Sequence, residues 1–89
     1  MSYKYQEIRP YLFTEEGQLD FIKIRDKVKE LLKLSGAFQV GNILSLSGVH
    51  GDTWQRISCV DRLVEIGEIK EIIRSDCPGQ HRVFVNPRE

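Results

Sequence analysis

The sequence predicts one small α+β domain in which helices come first and a short β-hairpin follows them. Apolar residues recur at helical spacing through 19–34 and again through 53–66. Near the end, "EIKEIIR" and "HRVFV" are rich in β-branched residues and are separated by "SDCPGQ". Pro78 and Gly79 in that connection favour a hairpin loop. With 89 residues, the chain has room for a single core.

A long helix is predicted within 14–36, with Thr14 as its N-cap and Gly36 as its end. At about 100° per residue, one face is predicted to be buried. That face holds Phe21, Ile24, Val28, Leu31 and Leu32, and its flank holds Arg25, Lys29 and Lys33. Gly17 leaves the start of the helix open, and residues 11–22 could instead form a short hairpin.

The N-terminal arm, residues 1–18, is rich in aromatic residues and is broken by Pro10. Three apolar residues of the long helix, Leu19, Ile22 and Leu34, lie off its buried face and need another cover. We expect the apolar residues of the arm to supply that cover; they are Tyr3, Tyr5, Tyr11, Leu12 and Phe13.

The middle of the chain is predicted to hold a minor strand at "AFQV", a short helix at 40–47 and a longer helix at 53–66. Asp52 or Thr53 caps the longer helix, and the spacing from Asp52 to Gln55 fits a capping box. Gly67 ends this helix.

This order of elements resembles the winged helix-turn-helix superfamily over about residues 20–86. The resemblance rests on "VGNILSLSGV" and "DTWQRISCVDRLVEIG" as the helix pair and on "GEIKEII" leading into the wing, with Leu63, Val64, Gly67 and Ile69 at the junction. It implies a single domain, 1–89, with an arm at 1–18, a three-helix core within 19–86 and a two-stranded wing at 68–85. It also implies DNA binding, with helix 53–66 in the major groove.

A helical wheel divides helix 53–66 into two sides. With Val60 toward the core, the buried side holds Thr53, Ile57, Leu63 and Val64, with Arg56 at its edge. The predicted outer side carries the candidate DNA-binding residues Trp54, Gln55, Ser58 and Arg62. Gln can pair with adenine and Arg with guanine.

Two of these candidate residues, Arg62 and Trp54, also have an alternative interpretation. Arg62 could be a solvated charge that pairs with Glu65 one helical turn later. Trp54 could pack against the wing or the "SGVHG" turn, or it could contact a partner.

In the wing, Arg74, His81 and Arg82 are candidate phosphate contacts, although Asp76 opposes them. The alternative is that these charges only protect an edge hairpin.

The composition argues against several functional classes. Thirteen basic residues balance 13 acidic ones, so DNA binding would depend on local charge. Cys59, Cys77, His50 and His81 have no metal-ligand or catalytic spacing, so we expect no enzyme activity, metal or cofactor. With no apolar run long enough for a membrane span, we expect a reduced cytoplasmic protein that does not bind a membrane.

Two functions follow from these observations. The first is a small DNA-binding transcription regulator that binds double-stranded DNA as a homodimer. The dimer would form through the arm and the long helix, using Leu19, Ile22 and Leu34. The alternative is a winged-helix module that binds a protein through the arm or Trp54 and does not bind nucleic acid.

Overall fold

The computed structural model describes residues 3–72 and 82–88. Helices α1–α4 and a 3-10 helix pack with a three-stranded antiparallel sheet, which confirms the α+β class. No helix in the described ranges is long and apolar enough to cross a bilayer. The elements are α1 (Tyr5–Ile8), the 3-10 helix (Arg9–Phe13), α2 (Glu15–Ser35), β1 (Ala37–Gln39), α3 (Val40–Leu44), α4 (Thr53–Glu65), β2 (Lys70–Ile72) and β3 (Val83–Val85).

Helix α2 begins and ends where its capping residues predict. The Thr14 hydroxyl accepts a hydrogen bond from the Gly17 amide, and Gly36 ends the helix in the left-handed region with φ 75°. The predicted alternative of a hairpin over 11–22 is therefore wrong. A Cβ at position 17 would lie 1.9 Å from the carbonyl oxygen of Tyr11, so glycine allows the arm to pass close to α2.

The sheet has the order β1-β3-β2, with antiparallel pairing on both sides of β3. Phe38 of β1 lies opposite Phe84 of β3, and the two buried rings stack with centroids 5.3 Å apart. The predicted minor strand thus joins the predicted hairpin in one sheet. Residues 73–81, which include the whole predicted wing loop "SDCPGQ", lie outside the described residues.

A single core lies between α2, α3, α4 and the sheet. The predicted face of α2 is largely confirmed, because Ile24, Val28 and Leu32 are buried and Phe21 and Leu31 pack against them. The fully buried side chains of the core include Ile24, Val40, Ile43, Cys59, Val60 and Phe84.

The N-terminal arm does not cover the residues that we expected it to cover. Leu19, Ile22 and Leu34 remain 51%, 45% and 73% exposed. The chain turns at Pro10 into the 3-10 helix, which packs against both α2 and α4. The arm therefore lies across α4, and the off-face residues of α2 stay in solvent.

The segment between α3 and α4 is held by one arginine. The Arg56 guanidinium donates hydrogen bonds of 2.7 to 2.9 Å to four main-chain carbonyls of this segment, those of Leu44, Leu46, Val49 and Gly51. Arg56 is thus a structural residue at the edge of the core, and it ties the segment after α3 to the first turn of α4.

Candidate functional site

The middle of α4 is buried on all sides. Ile57, Ser58, Cys59 and Val60 are four consecutive buried residues, and together they cover about 300° of the helix circumference. Helices α2 and α3 and the arm pack around this part of α4. A helix that reads bases needs one face free over several turns. In this structure α4 has no such face.

Ser58 was predicted to point outward, and this prediction is wrong. Its side chain is fully buried, and its hydroxyl donates to the Gln55 carbonyl at 2.6 Å. The helical wheel assumed that only one side of α4 is covered, whereas the arm covers a second side. Thr53, which the wheel placed on the buried side, is exposed because it lies at the helix start, ahead of the packed turns.

Hydrogen bonds and an ion pair join the arm to the outer side of α4. The Tyr3 hydroxyl donates to the Asp61 carboxylate at 2.6 Å, and the Tyr5 hydroxyl donates to Glu65 at 2.8 Å. Arg9 pairs with Glu65 at 3.2 Å. Trp54 contacts the edge of Tyr3, with ring centroids 6.4 Å apart. Trp54 is therefore a boundary residue, but it packs against the arm instead of the predicted wing or turn.

Gln55 lies at the start of α4 and takes part in its cap. Its side-chain oxygen accepts from the Asp52 amide at 2.9 Å, and Asp52 accepts from the Gln55 amide at 2.8 Å. The predicted capping box is confirmed, and Asp52 is the N-cap. The acceptor that Gln55 would use to pair with adenine is already engaged.

Arg62 forms the ion pair that its alternative interpretation predicted. Its Nη1 lies 2.6 Å from a Glu65 carboxylate oxygen. Hydrogen bonds from Arg62, then Tyr5 and Arg9, lower the pKa of Glu65 to about 2, although partial burial opposes them. Glu65 therefore stays charged over the whole physiological range.

Arg82 is held between two carboxylates instead of facing solvent. Its guanidinium pairs with Asp61 at 2.8 Å and with Glu71 at 2.7 Å, and its side chain is only 20% exposed. The hydrogen bonds that Arg82 donates to Glu71 and Asp61 raise the pKa of its guanidinium. Its charge is compensated, so a phosphate contact would have to break these pairs. The other two wing candidates, Arg74 and His81, lie outside the described residues.

The Cys59 thiol is unsuited to catalysis. It is fully buried, and burial raises its pKa to about 12. Cys77 lies outside the described residues. In the described part of the chain, no three His, Cys, Asp or Glu side chains come together as a metal site would require.

The structure places a different set of side chains in an open groove between the 3-10 helix and α2. We call it the Phe13 surface; it has a volume of about 440 Å³ and is lined by Leu12, Phe13, Gln18, Phe21, Ile22, Arg25 and Arg62. Phe13 is 52% exposed, and Ile22 is 45% exposed. The guanidinium groups of Arg9 and Arg62 lie 5.0 and 5.5 Å from the Phe13 ring centroid.

Sequence reasoning missed this surface because it used Phe13 as a cover for other residues. One local signal was available. Phe13 precedes the N-cap Thr14, where an apolar residue usually packs against the fourth helical residue. That residue is Gln18, which instead donates a hydrogen bond to the Phe13 carbonyl at 3.1 Å. The usual apolar contact between these two positions is therefore missing.

No protein-family model, curated protein or solved structure matches this chain. The winged helix-turn-helix resemblance stays a prediction, and function has to be inferred from the contacts described above.

Proposed function

We propose that this chain is a winged-helix module that binds an acidic, partly apolar segment of another protein at the Phe13 surface. The winged-helix assignment is supported by the order of helices and strands and by the short hairpin added to β1. The observation that carries the function is the Phe13 surface itself. It combines a half-exposed Phe13 ring and Ile22 with two arginines.

The charges around the Phe13 surface define the chemistry of the partner. Arg9 and Arg62 share the single carboxylate of Glu65, so, counting the ion pairs of residues 3–72 and 82–88, this cluster keeps one positive charge in excess. Arg25 adds a further cation, whose nearest carboxylate is that of Asp26 at 3.7 Å. Among the described residues that line the groove there is no carboxylate. A partner with apolar anchors and flanking Asp or Glu would complement this surface.

The same charges disfavour self-association at this groove. In a two-fold dimer each patch meets its own copy, which would bring Arg25 and Arg62 of both copies together. The homodimer through the arm, Leu19, Ile22 and Leu34 stays a prediction. It is weakened because the arm is already packed on α4, and because Leu34 lies about 18 Å from Ile22 along α2.

DNA binding by helix 53–66 also stays a prediction. It would require the arm to leave α4 and Arg62 to exchange Glu65 for a base or phosphate. Trp54 and Gln55 are only partly exposed, so they leave a short contact at the helix start, which is less than a recognition helix normally uses.

Selection from a displayed library of random helical peptides tests the proposal. We expect the selected peptides to combine apolar residues at helical spacing with Asp or Glu, and to lose binding to a Phe13→Ser/Ile22→Ser variant. Leu34→Ser is the matched control, because it removes an exposed leucine elsewhere on α2 and should leave binding unchanged. A selected pool that is basic, that ignores the double variant, or that fails to enrich would overturn the proposal.

A duplex titration distinguishes the alternative. Binding of mixed-sequence DNA at low salt would favour the DNA-binding alternative if two further conditions hold. The affinity should fall steeply as the salt concentration rises, and it should also fall in the Arg62→Ala variant. We expect no such binding while the arm remains on α4.

A further inference from the structure

A second cavity, separate from the proposed protein-binding groove, lies between α2, the end of α4 and the start of β2. Its volume is about 330 Å³, within the usual size range of small-molecule sites. Four apolar side chains form its floor, those of Val28, Leu32, Leu63 and Ile69, and all four are buried. The base of the cavity is therefore apolar where it meets the core.

The rim of this cavity on α2 is basic. Arg25, Lys29 and Lys33 are spaced four residues apart, so they form one row along the helix. Like charges at this spacing destabilise a helix unless an anion compensates them. Within the described residues Lys29 and Lys33 form no ion pair, and Glu68 is the one carboxylate in the lining.

Arg25 adds one donor, its Nε, for which the described residues supply no acceptor. Its Nε is buried and has no hydrogen-bond partner among the described residues. Leaving a charged donor unmet is costly. Arg25 also lines the cavity, where a guanidinium is a suitable group to bind an anion.

We propose that this cavity binds a small amphipathic carboxylate, a free acid with a short hydrocarbon or aromatic body. The body lies on the floor formed by Val28, Leu63 and Ile69. The carboxylate lies at the rim, where Arg25 can bind it bidentately and Lys29 and Lys33 add charge. The cavity and the Phe13 surface share Arg25 and no other lining residue, so the apolar floor and the two lysines belong to the cavity alone.

Octanoate is a suitable probe, and amide shifts in ¹H–¹⁵N NMR spectra locate where it binds. We expect saturable shifts at the C-terminal half of α2 and around Ile69, with a dissociation constant in the millimolar range. Octanol, which has the same body without the charge, should bind more weakly.

Two double variants separate the rim from general charge effects. Lys29→Gln/Lys33→Gln should weaken octanoate binding by about fivefold. Lys23→Gln/Lys27→Gln, which removes two α2 lysines that do not line the cavity, should leave binding unchanged. Because all four lysines are exposed or at the surface, both variants should fold.

Three results would overturn the proposal: shifts that do not saturate, shifts centred on Phe13, or equal weakening in both double variants. Equal binding of octanol and octanoate would also overturn it, because the rim would then have no role. None of these results depends on whether the Phe13 surface binds a protein.

Discussion

The aromatic residues of the arm fall into two groups, one that is bonded to the domain and one that is left exposed. The hydroxyl groups of Tyr3, Tyr5 and Tyr11 all donate to carboxylates, which are those of Asp61, Glu65 and Asp20. Phe13 has no hydroxyl group, contacts two arginines, and keeps half of its ring in solvent. The polar end of tyrosine therefore fixes the arm to the domain, whereas the phenylalanine is left available.

This difference suggests that stability and binding depend on different residues of one short segment. Substitutions at the tyrosine contacts should change the free energy of unfolding. Substitutions at Phe13 should change it little, because an exposed side chain contributes little to the core. The following changes test the stabilising half of this comparison, the contacts that fix the arm, beginning with the largest expected effect.

Asp20→Ala should have the largest effect on stability. Asp20 is buried and accepts hydrogen bonds from Tyr11 and from the amides of His50 and Gly51. Its removal leaves three donors without an acceptor, and we expect a loss of about 3 kcal/mol or more. Urea unfolding followed by circular dichroism measures it. The exposed Asp26→Ala is the control, and an equal loss there would contradict the prediction.

Gly17→Ala should destabilise the protein by about 2–3 kcal/mol, because the new methyl group would collide with the Tyr11 carbonyl. The sign of the change in the free energy of unfolding shows whether the arm lies against Gly17. Inside an ordinary helix this substitution stabilises by up to about 1 kcal/mol. A stabilised variant in the same urea experiment would show that the arm does not pass so close to α2.

The loss of stability on replacing a tyrosine with phenylalanine should depend on how deeply its hydrogen-bond acceptor is buried. Tyr11→Phe leaves buried Asp20 with one donor fewer, and we expect it to cost about 1–2 kcal/mol. Tyr5→Phe removes a hydrogen bond to the more exposed Glu65 and should cost less than about 0.5 kcal/mol. Equal losses in the two variants would mean that burial does not decide the strength of these contacts.

Acid should weaken the contact between the arm and α4. The pKa of Glu65 is lowered from 4.5 to about 2, so its contribution to stability is present above pH 4.5. That contribution is lost as the pH falls from about 4.5 toward 2. NMR titration of the Glu65 carboxyl measures the midpoint. Arg62→Gln should raise the midpoint toward the ordinary value, and an unchanged midpoint would exclude Arg62 as the main cause.

The sequence predicted those features that depend on neighbouring residues. Thr14, Gly36 and the Asp52–Gln55 pair fix helix ends through contacts within a few positions, and all were found as expected. The period of apolar residues in α2 likewise identified its core face.

The candidate site was harder to predict because it depends on distant pairings. The contacts of Tyr3 with Asp61 and of Tyr5 with Glu65 join residues 58 and 60 positions apart. These contacts cover the side of α4 that the helical wheel predicted to be exposed, which explains why Ser58 is buried. They also hold the arm on α4, which explains why Leu19 and Ile22 of α2 remain exposed. A wheel of one helix cannot show which segment packs against its second side.

The position of β3 in the sheet also has a consequence for synthesis on the ribosome. β3 is the last of the described strands in the chain, yet it lies between β1 and β2 and supplies the hydrogen bonds of both. During translation neither β1 nor β2 has its partner until residues 83–85 have emerged. The Phe38 ring must also wait for Phe84 before it can be fully covered. The sheet is therefore completed only after residues 83–85 have emerged, and nascent chains stopped before residue 83 should expose two unpaired strands.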